Sequence, residues 1–242
     1  MTEYTVRSYG DELSQLTAEV ARMGGLAEAQ VADAVDSIAR RDVPLAQAVI
    51  GRDDRLDFLQ RDIERRAIRI IALRQPMAVD LRRTVSAIKM AMELERTGDM
   101  AKNIAKRGLV LAEAEPMTPL TRSVERMGRL VVSRLKEVLD AYTARELEPA
   151  VSVWTNDHEV DEHYNSLFRE LLTYMMSDPR TIGACAHLLF IAKNLERIGD
   201  HATNLAEIIH FEITGEDLIA DRPKWDAIDG GSTPRRMRGT DA

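Results

Sequence analysis

An internal duplication is the feature that most constrains the fold of this chain. Displaced by about 100 residues, the sequence aligns with itself. The run 94–99, Leu-Glu-Arg-Thr-Gly-Asp, stands opposite the run 195–200, Leu-Glu-Arg-Ile-Gly-Asp. Further matched pairs continue on both sides: Asp36 with Asp140, Arg41 with Arg145, Asp53 with Asp157, Asp57 with Asp161, Ala101 with Ala202, and Asn103 with Asn204. Such colinear matches indicate two copies of one structural unit.

Each copy divides into three amphipathic stretches. Apolar residues recur at helical spacing, most clearly at Leu188, Ile191, Leu195 and Ile198. Prolines lie at or near the breaks between stretches, where a helix starts or cannot continue. The predicted helices cover residues 8–41, 45–74, 77–113, 118–144, 147–177 and 180–213.

The sequence therefore predicts an all-α fold, two tandem three-helix bundles with six long helices in total. The first bundle is expected over residues 5–115 and the second over residues 116–214. From Gly215 onward the helical periodicity stops, and the chain becomes rich in glycine, proline and arginine. Residues 215–242 are therefore predicted to form a disordered tail.

Charge and composition exclude several classes of function. The net charge is -7 and positive residues are well mixed with negative ones, so no nucleic-acid partner is expected. No run approaches the roughly 20 apolar residues of a transmembrane segment, and the first residues do not resemble a signal peptide. The single cysteine, Cys185, lies among small and apolar residues and is expected to be a buried, unreactive thiol. A cytoplasmic, reducing compartment is predicted.

Four pairs of carboxylates at helical spacing are the candidate metal ligands. In each copy, one pair lies on the second helix and one on the third. Residues four apart share a helix face, so each pair presents two like charges that repel. A compensating cation is the expected remedy, and oxygen ligands of this kind bind divalent or trivalent metal ions. The first cluster is Asp53, Asp57, Glu95 and Asp99, and the second cluster is Asp157, Asp161, Glu196 and Asp200.

Both clusters are expected to lie beside the core, in an outward-facing groove, rather than in a buried centre. At about 100° per residue, Glu196 and Asp200 fall off the apolar stripe that contains Leu195. Gly98 and Gly199 occupy equivalent positions inside helices, where glycine costs about 1 kcal/mol relative to alanine. Glycine at both positions predicts a close approach of a neighbouring helix beside each cluster.

The residues alone leave several functions open. The carboxylates are compatible with an unliganded solvated face, with a multinuclear-metal hydrolase of phosphoesters, or with a bundle that stores metal or phosphate. All five histidines lie in the second copy, so the chemistry that the copies share does not use histidine. No nucleophile constellation emerges, and a protein that is not an enzyme is favoured.

Several runs around the carboxylates follow the pattern of a known family. They are residues 75–83 (Gln-Pro-Met-Ala-Val-Asp-Leu-Arg-Arg), residues 94–105 with Leu-Glu-Arg-Thr-Gly-Asp and Asn-Ile-Ala, and residues 192–207. The opening Arg7-x-Tyr9-x-x-Glu12-Leu13 fits as well. In these runs the chain resembles the PhoU family of phosphate-signalling regulators, over residues 5–213.

This resemblance implies a pair of three-helix bundles and a negative regulator of the phosphate-starvation (Pho) response and of phosphate uptake. Members of the family act between the ATPase subunit of the phosphate ABC transporter and a membrane sensor histidine kinase, and they usually form homodimers. A cytoplasmic protein that is peripheral to the inner face of the membrane through its partners is thus implied. Some members hold multinuclear iron, zinc or manganese clusters through Glu/Asp-x-x-x-Asp motifs, which implies the carboxylates of both clusters as ligands.

Overall fold

The protein is entirely helical over the residues that its structure, a computed structural model, describes: residues 2–218, with side chains from residue 9 onward. Seven α-helices and one short 3-10 helix, Pro179–Thr181, follow one another along the chain. The α-helices are α1 (Thr2–Arg40), α2 (Val43–Arg74), α3 (Ala78–Glu113), α4 (Thr118–Ala144), α5 (Leu147–Thr155), α6 (His158–Ser177) and α7 (Ile182–Thr214). The predicted all-α fold with two repeats is confirmed.

One predicted helix is broken in two. The stretch 147–177 was expected to be continuous, but α5 ends at Thr155 and α6 begins at His158, with Asn156 and Asp157 in a turn. Asn and Asp side chains compete with the backbone for its hydrogen bonds and lower helix propensity. The equivalent segment of the first repeat stays helical throughout α2.

Capping residues and left-handed backbone conformations mark several helix ends. Asp42 caps the start of α2, because its side chain accepts a hydrogen bond of 2.9 Å from the Leu45 N–H. Helix α7 ends at Gly215, whose φ of 82° is a left-handed conformation that glycine adopts readily. Arg41 and Arg145, matched by the duplication, end α1 and α4 in the same left-handed conformation, with φ of 53° and 58°.

The two repeats pack against each other through four of their helices. Helix α3 lies along α7, and α1 lies along α4, while α2 flanks one side and α5 and α6 flank the other. Arg107 near the end of α3 meets His187 near the start of α7 at 3.3 Å. Arg83 near the start of α3 meets Glu212 near the end of α7 at 3.9 Å. The two third helices of the repeats are therefore antiparallel.

Two equivalent glycines bring α1 and α4 together. A Cβ atom added at Gly24 would lie 2.5 Å from Leu139 Cδ2, and one added at Gly128 would lie 2.6 Å from Val35 Cγ2. Both distances are too short for carbon atoms, so a larger residue at either position would force the facing side chain to move. The contact is reciprocal: the glycine of each repeat receives an apolar side chain from the other repeat.

A single hydrophobic core extends through both repeats. Cys185 is buried in it, as predicted. No helix among residues 2–218 is long and apolar enough to span a bilayer. Of the segment predicted to be a disordered tail, Gly215 to Leu218 follow the end of α7, and residues 219–242 lie outside the described residues.

Candidate functional site

The first cluster lies in the groove between α2 and α3. Asp53 and Asp57 project from α2, and Glu95 and Asp99 project from α3. A Cβ atom at Gly98 would lie 2.3 Å from Leu56 Cδ1 and 3.8 Å from Asp53 Oδ1. The predicted close approach at this glycine is confirmed, and it brings the carboxylates of the two helices beside one another.

Asp53 corrects the expectation that the carboxylates lie away from the core. Only 3% of this residue is exposed. Asp53 faces Gly98 of α3. Because Gly98 has no side chain, the two helices lie close together there and the Asp53 carboxylate is enclosed between them. The Lys102 ammonium donates a hydrogen bond to Asp53 Oδ2 and lies 3.9 Å from Asp99 Oδ1. A buried carboxylate is thus held with a cation from the same chain.

Two carboxylates of the first cluster, Glu95 and Asp99, have raised pKa values. Burial, followed by the negative charges of Asp99 and Asp57, raises the pKa of Glu95. Burial and the charge of Asp53 raise the pKa of Asp99, although the positive charge of Lys102 opposes this. The hydrogen bond to Asp53 raises the pKa of Lys102, so this side chain stays cationic. The cluster is a patch of negative charge with one ammonium within it.

The second cluster lies in the corresponding groove between α6 and α7. Gly199 again permits the approach, since an added Cβ atom would lie 3.1 Å from Val160 Cγ1. Asp157 precedes α6 in the turn that breaks the predicted helix, and Asp161 lies in the first turn of α6. On α7, Asp200 is exposed, and Glu196 pairs at 2.7 Å with Lys193 of its own helix.

The two clusters differ in the group that donates to their first aspartate. The alignment that matches Asn103 with Asn204 places Lys102 opposite Thr203. Thr203 Oγ1 donates a hydrogen bond of 2.8 Å to Asp157 Oδ1, just as Lys102 donates to Asp53. The geometry of the interaction is repeated, but the donor is charged in the first repeat and neutral in the second.

The side chains as placed do not form a coordination shell. Among residues 9–218, no three His, Cys, Asp or Glu side chains are arranged to hold a metal ion. In the first cluster, the space between Asp53 and Asp99 is taken by the Lys102 ammonium. This placement of the ammonium does not fit a metal ion between the two helices at the first cluster. Metal binding by the second cluster stays a prediction.

A set of polar contacts between the repeats was not predicted from the sequence. Glu93 of α3 accepts hydrogen bonds from two residues of α7, His201 Nδ1 at 2.7 Å and Asn204 Nδ2 at 3.0 Å. Nothing in the motif itself marks Glu93, because its repeat equivalent is Asn194. The antiparallel packing of α3 and α7, which the sequence did not predict, is what brings these groups together.

A second buried acid lies at the end of the same interface. Glu212 of α7 is 6% exposed, and its Oε1 lies 3.8 Å from Arg145 Nη2 and 3.9 Å from Arg83 Nε. Its Oε2 has no hydrogen-bond partner among the described residues. Burial raises the pKa of Glu212, although the two arginines oppose this. Arg41, the equivalent of Arg145, instead donates to the carbonyl groups of Ala112 and Ala114 at the end of α3.

Comparison with known proteins gives the same two-unit division. The profile of the PhoU domain matches this chain twice, over residues 20–108 and 124–209. A phosphate-specific transport system accessory protein PhoU homolog of Caulobacter vibrioides is 70% identical over 228 residues, 94% of this chain and 99% of the relative. A homolog of the same description in Rhizobium meliloti is 49% identical over 92% of this chain and 94% of the relative.

Solved structures have the same fold. The crystal structure of PhoU from Pseudomonas aeruginosa is 38% identical, with a TM-score of 0.83, over 86% of this chain and all of that one. The phosphate transport system regulatory protein PhoU from Streptococcus pneumoniae is 29% identical, with a TM-score of 0.81, over 88% of this chain. Both resemblances cover more than four fifths of this chain.

Proposed function

The chain belongs to the PhoU family, and we propose from this premise that it is an accessory protein of a phosphate-specific transport system. More specifically, it is proposed to repress the phosphate-starvation response and phosphate uptake by coupling the phosphate ABC transporter to a sensor histidine kinase. The observation that carries the proposal is similarity over the whole length of relatives that are named as accessory proteins of this transport system.

The proposed partners are the ATPase subunit of the transporter and the sensor kinase, with a homodimer as the working form. The protein is proposed to be cytoplasmic and to reach the inner face of the membrane through these partners. It acts in this proposal by binding and not by catalysis, as the word accessory in the names of its relatives suggests.

Exposed apolar side chains at two helical connections support a docking role. The α2–α3 connection, here the first tip, exposes Leu73, Met77 (81% exposed) and Val79. The α6–α7 connection, the second tip, exposes Met176 (86% exposed) and Ile182. Large apolar side chains that are exposed next to one another are typical of surfaces that bind other macromolecules. We assign the contacts with the two partners to these tips.

A deletion strain tests the regulatory proposal. Removal of the gene is expected to release the phosphate-starvation response in phosphate-rich medium, and the wild-type chain is expected to restore repression. Transcripts of starvation-induced genes are the readout. If the deletion leaves these transcripts at their repressed level in phosphate-rich medium, the chain is not a negative regulator.

A pull-down tests the docking proposal separately. Met77→Ser and Met176→Ser are each expected to reduce retention of one partner by about tenfold or more, because each removes buried apolar contact area at an interface. Met92→Ser, at an exposed methionine in the middle of α3 and about 20 Å or more along the helices from either tip, is the matched control and should retain both partners. Retention of neither the ATPase subunit nor the kinase by the wild-type chain, at high and at low phosphate, contradicts the proposal.

The alternative functions have their own measurements. A phosphoester hydrolase would turn over a generic phosphoester when the purified chain is supplied with Mn²⁺, Zn²⁺ or Fe²⁺. A storage bundle would retain many ions per chain in elemental analysis. The proposed regulator is expected to do neither.

A further inference from the structure

We infer that the Lys102 ammonium is the resident cation of the first cluster, and that this cluster consequently takes no divalent metal ion. The proposal assigns different metal-binding properties to the two clusters, although their carboxylates occupy matched positions in the sequence. It is independent of the regulatory function, because it concerns only which groups neutralise the carboxylates between α2 and α3.

The position of the ammonium carries the inference. Lys102 extends from α3 across the groove and donates to the buried carboxylate of Asp53 on α2. It also lies 3.9 Å from Asp99 Oδ1 on its own helix. A metal ion bound by carboxylates from both helices would need the space that this ammonium fills. The lysine is 28% exposed, so it is anchored in the groove and not extended into solvent.

The remaining carboxylates of the first cluster also have basic neighbours. Asp57 pairs with Arg61 at 3.5 Å on α2. Positive charge from Arg96 acts on Glu95, and positive charge from Lys106 acts on Asp99. The repulsion between carboxylates that suggested a metal ion is therefore reduced by side chains of this chain.

The second repeat has a different arrangement at the same place. Thr203 replaces the lysine and donates to Asp157 through a neutral hydroxyl. The lysine of that cluster, Lys193, is 50% exposed and pairs with Glu196 on its own helix. Its repeat equivalent in α3 is Met92. Lys102 and Lys193 thus lie at non-equivalent positions of the two repeats, and Lys102 pairs with an aspartate of the facing helix.

A single substitution converts the first arrangement into the second. Lys102→Thr installs the residue that the chain itself uses at the matched position, and it leaves all four carboxylates in place. We expect this variant to bind about one more Mn²⁺ per chain than the wild type, because Asp53 and Asp99 lose their shared ammonium and the four carboxylates are then free to supply oxygen ligands. Bound Mn²⁺ is counted from the loss of the free-ion signal in electron paramagnetic resonance during a titration.

Lys89→Thr is the matched control, because it removes one positive charge from an exposed position of the same helix, beside Phe211 and about 15 Å along α3 from Asp99. It should bind as many Mn²⁺ ions as the wild type. If Lys102→Thr folds, as judged by circular dichroism, and binds no more Mn²⁺ than the wild type, the inference is overturned.

A second variant, which keeps Lys102, tests the inference if Lys102→Thr fails to fold. Asp99→Asn changes a half-buried ligand candidate of the first cluster and keeps Lys102 in place. Since the inference excludes a metal ion there, the number of Mn²⁺ ions bound should equal that of the wild type. A lower number would mean that the first cluster holds Mn²⁺ in the presence of the lysine, and the inference would be wrong.

Discussion

His201 Nδ1 lies 2.7 Å from Glu93 Oε2, and this contact joins the third helix of one repeat to the third helix of the other. Both side chains are largely enclosed. Burial opposes the ionisation of Glu93, but the hydrogen bonds from His201 and Asn204 more than compensate, so the pKa of Glu93 is lowered. The contact therefore stabilises the packing of the two repeats as long as Glu93 carries its charge.

Glu93→Gln is expected to destabilise the protein by about 2 kcal/mol at pH 7, the usual value for hydrogen bonds to a buried charge. An acid whose pKa is lowered by folding contributes stability above its unfolded pKa and loses it as the pH falls. The difference between variant and wild type should thus shrink as the pH falls below 4.5, the ordinary value for Glu. Urea unfolding at a series of pH values measures this difference. Glu125→Gln, which alters an exposed ion pair of α4, is the control and should change little.

Glu212→Gln is expected to have the opposite effect. Because burial raises the pKa of Glu212, the folded protein holds this proton more tightly than the unfolded chain does. Its ionisation therefore reduces stability as the pH rises through and above the ordinary Glu value of 4.5. The variant should be more stable than the wild type by about 1 kcal/mol at pH 7, a rise in Tm of about 2–4 °C, and equal to it near pH 4. Calorimetry that finds the variant less stable at pH 7 would show that Arg83 and Arg145 outweigh burial.

Gly98→Ala should destabilise the protein by about 1–2 kcal/mol, because overpacking against the fully buried Leu56 outweighs the gain in helix propensity. Leu56→Val in the same chain should recover much of this loss, since valine is the native choice at the matched position Val160. Gly199→Ala, whose Cβ atom meets Val160 at 3.1 Å, should stay within about 0.5 kcal/mol of the wild type. Thermal unfolding of the four proteins tests the series, and equal losses at the two glycines would contradict it.

The Cys185 thiol should react with a disulfide reagent only when the protein unfolds. Burial raises the pKa of Cys185, although a hydrogen bond with Thr181 opposes the shift, and the thiolate is the reactive form. At pH 8, labelling of the native protein should be slower by about a hundredfold or more than labelling in denaturant, where the pKa returns to its ordinary value. Rapid labelling of the native protein would mean that α7 opens near its first turn.

The duplication predicted the fold because it matches more than the carboxylate motifs. Gly24 and Gly128 differ by the same offset as Asp36 and Asp140, and they bring α1 and α4 together from both sides. The matched glycines can be seen in the sequence, but a glycine within a helix does not show which side chain of another helix packs against it. The break at Asn156 was missed since helix propensity is a weak guide at a single polar residue.

The sequence placed the carboxylates on neighbouring helices of each repeat, but it did not predict the burial of Asp53. Periodicity along one helix assigns a face, whereas the burial of Asp53 depends on the missing side chain of Gly98 on another helix. The ammonium of Lys102 reaches Asp53 across 49 positions of sequence, through a lysine rotamer that no motif specifies. Side-chain contacts between helices therefore distinguish the first cluster from the second.

The antiparallel arrangement of α3 and α7 has a consequence for stoichiometry. Each tip lies at the start of one of these helices, so the first and second tips lie at opposite ends of the interface, about 50 Å apart for helices of this length. If the two tips hold the two partners as proposed, a single chain is a bivalent ligand with two unlike ends. In that proposal, binding of one tip to its partner holds the other tip near the second partner at a high effective concentration, which gives avidity within one chain.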